Sequence, residues 1–201
     1  MGITANNSFK NHQITIGVCG GIDMRAIVMR HGKVDFQWKK WSTSEQFNKD
    51  CQMYDEAPIC LLLSNDIQID SQDIYISTLQ RSRDTAKQLF GERDFISTKL
   101  LDEVPLCASV ISNKKLPLIF WNISARLQWL FHIHSQKEGR KETVYRAEQF
   151  INMITEKGKD CIIVTHGFFL HTLLSQMKQH AFKLSHTKLS YSNGEFVIAE
   201  R

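Results

Sequence analysis

Arg30, His31 and Gly32 stand directly after the apolar run Ala26-Ile27-Val28-Met29, and His166 and Gly167 follow a second run, Ile162-Ile163-Val164-Thr165. An imidazole nitrogen can attack an electrophile near neutral pH without prior deprotonation. A guanidinium offers forked donors to the oxygens of an anion. Two histidines and an arginine delivered to one place suit an anionic, transferable group, and phosphoryl fits best. Two further residues complete that chemistry. Arg81, four residues past an apolar segment at 73–77, adds a second cation. Glu103, after Lys99-Leu100-Leu101, supplies a carboxylic acid for the departing oxygen. Asp102 is its adjacent rival, and only one of the two can face the site.

For these side chains to meet, the runs before them must be neighbouring strands. Apolar, β-branched runs that stop at a glycine read as buried strands of a parallel sheet, and ligands gather at the C-terminal ends of such strands. Strands are expected at 25–29, 73–77 and 160–165, with a short extended piece at 96–101. Helices are expected from Thr78 to Phe90, stopped by Gly91, from Glu142 to about Glu156, and from Gly167 to Gln176. Ser42 or Ser44 is placed to cap a helix running toward Cys51. Leu116-Pro117 opens a long helix to about His134, with Trp121, Ala125, Trp129 and His132 near one face. Asn193-Gly194 marks a hairpin between 189–191 and 195–198. The alternation predicts a three-layer α/β/α sandwich with a mostly parallel central sheet and an antiparallel edge strand. The length and tryptophans of the stretch Pro105 to Glu138 suit a helical cap insertion.

With those positions in hand, the chain resembles the histidine phosphatase superfamily, the phosphoglycerate-mutase-like fold. The resemblance rests on Arg30-His31-Gly32 after a strand, on Ser77-Thr78-Leu79-Gln80-Arg81-Ser82-Arg83-Asp84-Thr85-Ala86, on Leu101-Asp102-Glu103 and on Val164-Thr165-His166-Gly167, in that order over about residues 25–199. It implies that His31 accepts the phosphoryl group, that Arg30, Arg81 and His166 form the phosphate pocket, and that Glu103 is the general acid and base. It also implies no metal or other cofactor. Gly32, Gly167 and Lys33 are expected among the substrate-binding positions. Lys33 and Val34 stand where the family often has an acidic and a hydroxyl residue. Thr78 and Ser82 replace its proline and alanine. Lys33 reads either as extra positive charge at the mouth of the site or as solvated surface.

Composition narrows the alternatives. The 201 residues suit one domain, with residues 1–23 expected as a mobile leader, 24–201 as the folded unit and about 105–138 as a lid. A net charge of +4, without a basic stripe, is too small a footprint for nucleic acid. No apolar run approaches the ~18 residues of a membrane span, and Met1 to Gln13 lacks a signal peptide's apolar stretch. Five scattered cysteines argue against a disulfide framework and for a reducing cytoplasm. His132, His134 and Cys107 are discounted as a metal set, because residues two apart on a helix do not share a face. The expected partner is a small-molecule phosphomonoester, and the oligomeric state is left open. Alternatives are a mutase or a protein phosphohistidine phosphatase of the same fold, or a non-catalytic phosphate-binding module.

Overall fold

The computed structural model describes residues 24–61, 73–133 and 136–201, so the expected leader lies outside the described residues, as does His134. In chain order the elements are β1 (Arg25–Arg30), β2 (Trp41–Ser42), α1 (Ser44–Glu56), β3 (Asp73–Ile76), α2 (Gln80–Phe90), β4 (Ile96–Ser97), β5 (Leu116–Pro117), α3 (Leu118–Leu130), α4 (Arg140–Lys157), β6 (Cys161–Thr165), α5 (Gly167–Gln179), β7 (Lys183–Leu184) and β8 (Phe196–Glu200). A six-stranded sheet runs β4-β3-β6-β1-β8-β7. The β4-β3, β3-β6 and β6-β1 pairs are parallel, while β8 is antiparallel to both β1 and β7.

Alternation along the strands divides the core into two layers. Ala26, Val28, Tyr75, Cys161 and Ile163 pack with Phe150, Ile151 and Ile154 of α4 and Phe169, Leu170 and Leu173 of α5. Ile74, Ile76, Ile162 and Val164 face the other way, onto Ala86 of α2. Each buried aliphatic or aromatic side chain stabilises the fold by about 1.5–3 kcal/mol, so the apolar runs dominate the choice of architecture. The three-layer α/β/α arrangement expected from the sequence is present.

Local chemistry shifts several boundaries. The cap of α1 is Thr43, between the two serines expected. Its hydroxyl accepts from the Gln46 amide, and the Gln46 side chain accepts from the Thr43 amide in return, after which the helix continues past Cys51 to Glu56. Helix α2 begins at Gln80, because Thr78 commits both its amide and its hydroxyl to Asp102, each at 2.7 Å. The extended piece at 96–101 is only two residues long. Thr98 caps Leu100 and turns the chain into a 3-10 helix, Lys99–Leu101.

Leu116 and Pro117 form no helical turn. They pair with Ser42 and Trp41 as a two-stranded ribbon, and α3 starts after the proline and ends at Leu130. Trp121 and Ala125 are buried from that helix, and Trp121 stacks on Phe47. His132 lies past the helix end with φ 56°, off its inward face. Helix α4 starts two residues earlier than expected, at Arg140 directly after Gly139. The expected hairpin at Asn193-Gly194 is also absent. The neighbours of β8 are β1 and β7, and the segment 189–191 forms no strand.

Candidate active site

Strands β1 and β6 are adjacent and parallel, with Arg30 in register with Thr165. Their C-terminal ends therefore deliver His31 and His166 side by side, with ring centroids 5.0 Å apart. The loop after β1 is held on every side. The His31 amide donates to the Thr165 carbonyl at 2.9 Å, and the Gly32 amide donates to the Thr85 hydroxyl at 2.8 Å. The Gly194 amide donates to the Arg30 carbonyl at 3.0 Å, and Asn193 Nδ2 donates to the His31 and Gly32 carbonyls. The Asn-Gly turn thus supports this loop. Gly194, at φ 77°, occupies a backbone conformation that favours glycine.

His31 is 2% exposed, and its Nδ1 lies 2.7 Å from the Gly32 carbonyl. A carbonyl only accepts, so Nδ1 carries the hydrogen and Nε2 keeps its lone pair. Burial pushes the imidazole pKa down to about 3, with Arg81 and then Arg30 adding to the effect against the Gly32 hydrogen bond. The ring is therefore neutral across the physiological range. His166 is fully buried, and burial, followed by Arg81 and His31, holds it well below the usual histidine range. Its Nδ1 accepts from Arg81 Nε at 3.1 Å, and its Nε2–H donates to the Ser77 hydroxyl at 2.6 Å.

The two arginines sit in different electrostatic states. Arg81, with its side chain 1% exposed, donates through Nη1 to Asp55 at 2.8 Å, and its guanidinium carbon lies 5.0 Å from the Tyr54 ring centroid. Arg30 donates through Nη1 to the Tyr191 carbonyl, while its buried Nε has no partner. A buried donor left open in this way is a place for a ligand oxygen. Gly167 makes the space: a Cβ at that position would stand 2.9 Å from Arg30 Nε.

Glu103 accepts from the amides of Phe168 at 3.1 Å, Phe169 at 2.9 Å and Val104 at 2.9 Å. It therefore caps the N-terminus of α5, a service the preceding His166 does not provide. A carboxylate of the chain therefore occupies that helix end. The rival Asp102 is committed to Thr78, so it is Glu103 that faces α5. Lys33 is exposed, and among the described hydrogen bonds only its carbonyl takes part, accepting from Cys60.

The departures from the family pattern have local explanations. Thr78 anchors Asp102 and thereby fixes the residue beside it, Glu103. Ser82 is buried, accepts from the Ser77 amide and donates to the Val164 carbonyl at 2.6 Å, joining α2 to the ends of β3 and β6. Val34 is buried and bridges to Ile59. Asp84 accepts from the Gln80 side chain.

Several residues at the site carried no motif. Tyr54 and Asp55 come from the last turn of α1. Burial raises the Tyr54 phenol, and the charges of Arg81, Arg30, Glu103 and Asp55 all reach it. Arg126 of α3 lies over the Phe168 ring at 3.7 Å and feels the Glu103 carboxylate, which places a cation of α3 beside the start of α5. The one available signal was the spacing Phe47, Asp50, Tyr54, which follows one face of a helix. His171 packs against Tyr191 and His132 pairs with Glu142, while Cys107 contacts Gln136.

The comparisons bear on the fold and the family. The open reading frame Rv3214 of Mycobacterium tuberculosis shares the fold at a TM-score of 0.56 and 15% identity, over 89% of this chain and 94% of that one. The alpha-ribazole phosphatase of Shigella flexneri gives 0.52 at 18% identity, covering 87% and 89%. The mycobacterial glucosyl-3-phosphoglycerate phosphatase in complex with VO3 gives 0.54 at 16% identity, covering 87% and 91%. No match is found among curated proteins. The family model of the histidine phosphatase superfamily, branch 1, matches residues 26–200, and the chain belongs to that superfamily.

Proposed function

We propose that the protein is a phosphatase that hydrolyses a small phosphomonoester through a phosphohistidine at His31. The observation that carries this reading is the state of that imidazole: buried, neutral and fixed by the Gly32 carbonyl in the tautomer that leaves Nε2 free. Nε2 attacks phosphorus in line. The Nε2–P bond forms as the bond to the leaving oxygen breaks, and Glu103, which enters this step as the protonated acid, gives that oxygen its proton and is left as the carboxylate. Water then attacks the phosphohistidine, its proton goes to the Glu103 carboxylate, and the Nε2–P bond breaks to release phosphate.

Arg30 and Arg81 neutralise the peripheral oxygens as charge builds on them. His166 serves this pocket through Arg81, whose Nε it accepts, and is a positioning residue. Members of the fold named above support the phosphatase reading, two by the names they carry and one of these by the phosphate-like VO3 it binds.

The test is hydrolysis of p-nitrophenyl phosphate by the wild type and by His31→Ala, with EDTA present and no metal added. The wild type is expected to turn over and the variant to show no activity above background. Arg81→Ala should lose roughly 100-fold or more. Undiminished turnover by His31→Ala would overturn the assignment.

A further inference from the structure

We infer that Asp55 competes with the phosphoryl group for Arg81, and so sets how tightly the site holds its anionic substrate and product. The inference rests on the reading of Arg81 as a phosphate-holding arginine. Its physical basis is the contrast between the two ends of one ion pair. Arg81 is enclosed, with 1% of its side chain exposed, while the Asp55 side chain is 50% exposed at the end of α1. A buried guanidinium needs a compensating charge. His166 is neutral and contributes only a lone pair to Nε, so the negative charge paired with Arg81 is that of Asp55, 2.8 Å from Nη1.

Among the described residues, Arg30 has no such partner. Its contact is a neutral carbonyl, and its Nε is open. An arriving phosphoryl group therefore meets one arginine with its full charge available and one already neutralised. It either displaces the Asp55 carboxylate toward solvent, which the exposure of Asp55 allows, or stays beside it against like-charge repulsion. Both outcomes weaken the hold on phosphate. When product leaves, Asp55 pairs with Arg81 again. Two arginines with their full charge around a phosphate dianion would otherwise make a site that releases product slowly. Asp55 offsets that.

The opposite role, in which Asp55 merely steers Arg81 into place, predicts the opposite result. Asp55→Asn separates the two, because the amide oxygen still accepts from Nη1 while the charge is gone. The measurement is the affinity of the full-length protein for inorganic phosphate, by calorimetry and by competitive inhibition of p-nitrophenyl phosphate hydrolysis. Asp55→Asn should bind phosphate about tenfold more tightly, with KM falling alongside and the gain shrinking as salt is added. Asp55→Glu should restore wild-type affinity. Asp55→Ser, which also removes the charge, gives a second reading should the asparagine variant fold poorly. Unchanged or weaker phosphate binding in folded Asp55→Asn and Asp55→Ser overturns the inference alone. A wild type that binds no phosphate overturns the reading of the site, and this inference with it.

Discussion

Two imidazoles 5.0 Å apart are both held neutral, and each by a different arrangement. His31 is screened from solvent and bonded to its own loop. His166 is enclosed between Arg81 and Ser77, with both nitrogens engaged. Their depressed pKa values carry a consequence for stability. In the unfolded chain each histidine titrates near 6.5, whereas in the fold His31 titrates near 3 and His166 also lies well below its usual range. As pH falls through about 6.5 the unfolded state takes up protons that the native state cannot, so stability falls with pH and recovers as pH rises. The slope approaches about 1.4 kcal/mol per pH unit for each histidine. Denaturant unfolding at pH 7 and pH 5 should show a loss of about 2 kcal/mol or more on acidification, and His31→Gln should reduce it. Equal stability at the two pH values would contradict the neutral, buried state of both rings.

At the scale of elements, the site depends on two parallel strands ending level and on what supports their ends. Helix α5 starts directly after His166, and its first residue, Gly167, has no need of a special backbone conformation. Glycine is required there for room, since a methyl group would press on Arg30 Nε and Cζ at 2.9 and 3.0 Å. Gly167→Ala should therefore leave the melting temperature level or higher, because alanine is the better helix former by up to about 1 kcal/mol. Phosphate affinity should nevertheless drop, as Arg30 is pushed from its place. Unchanged affinity would show that Arg30 is not a phosphate contact. The strands and their order of chemistry were legible because apolar runs ending at Arg30 and His166 bury on both faces. The Asn193-Gly194 turn was legible as a turn but not in its role, because a dipeptide reports its own backbone and not the loop it will support. Leu116-Pro117 misled for a similar reason. Proline suits the residues before a helix as well as its first turn, and it was pairing with Trp41 that decided between them.

At the scale of the whole molecule, residues far apart in sequence converge because a parallel sheet collects strand ends at one edge. Arg30, His31, Arg81, Glu103 and His166 were identifiable because each follows such an end within a few residues. Tyr54, Asp55 and Arg126 were not. They reach the site from the last turn of α1 and from α3, whose placement depends on packing that no local pattern encodes. The most direct test of the central claim is to quench the wild-type protein in alkali during turnover of p-nitrophenyl phosphate and locate the phosphoryl group by mass spectrometry. The account predicts phosphate on the peptide carrying His31, chased by water and absent from His31→Ala. Sustained turnover with no phosphorylated His31, or with the group on another residue, would contradict it.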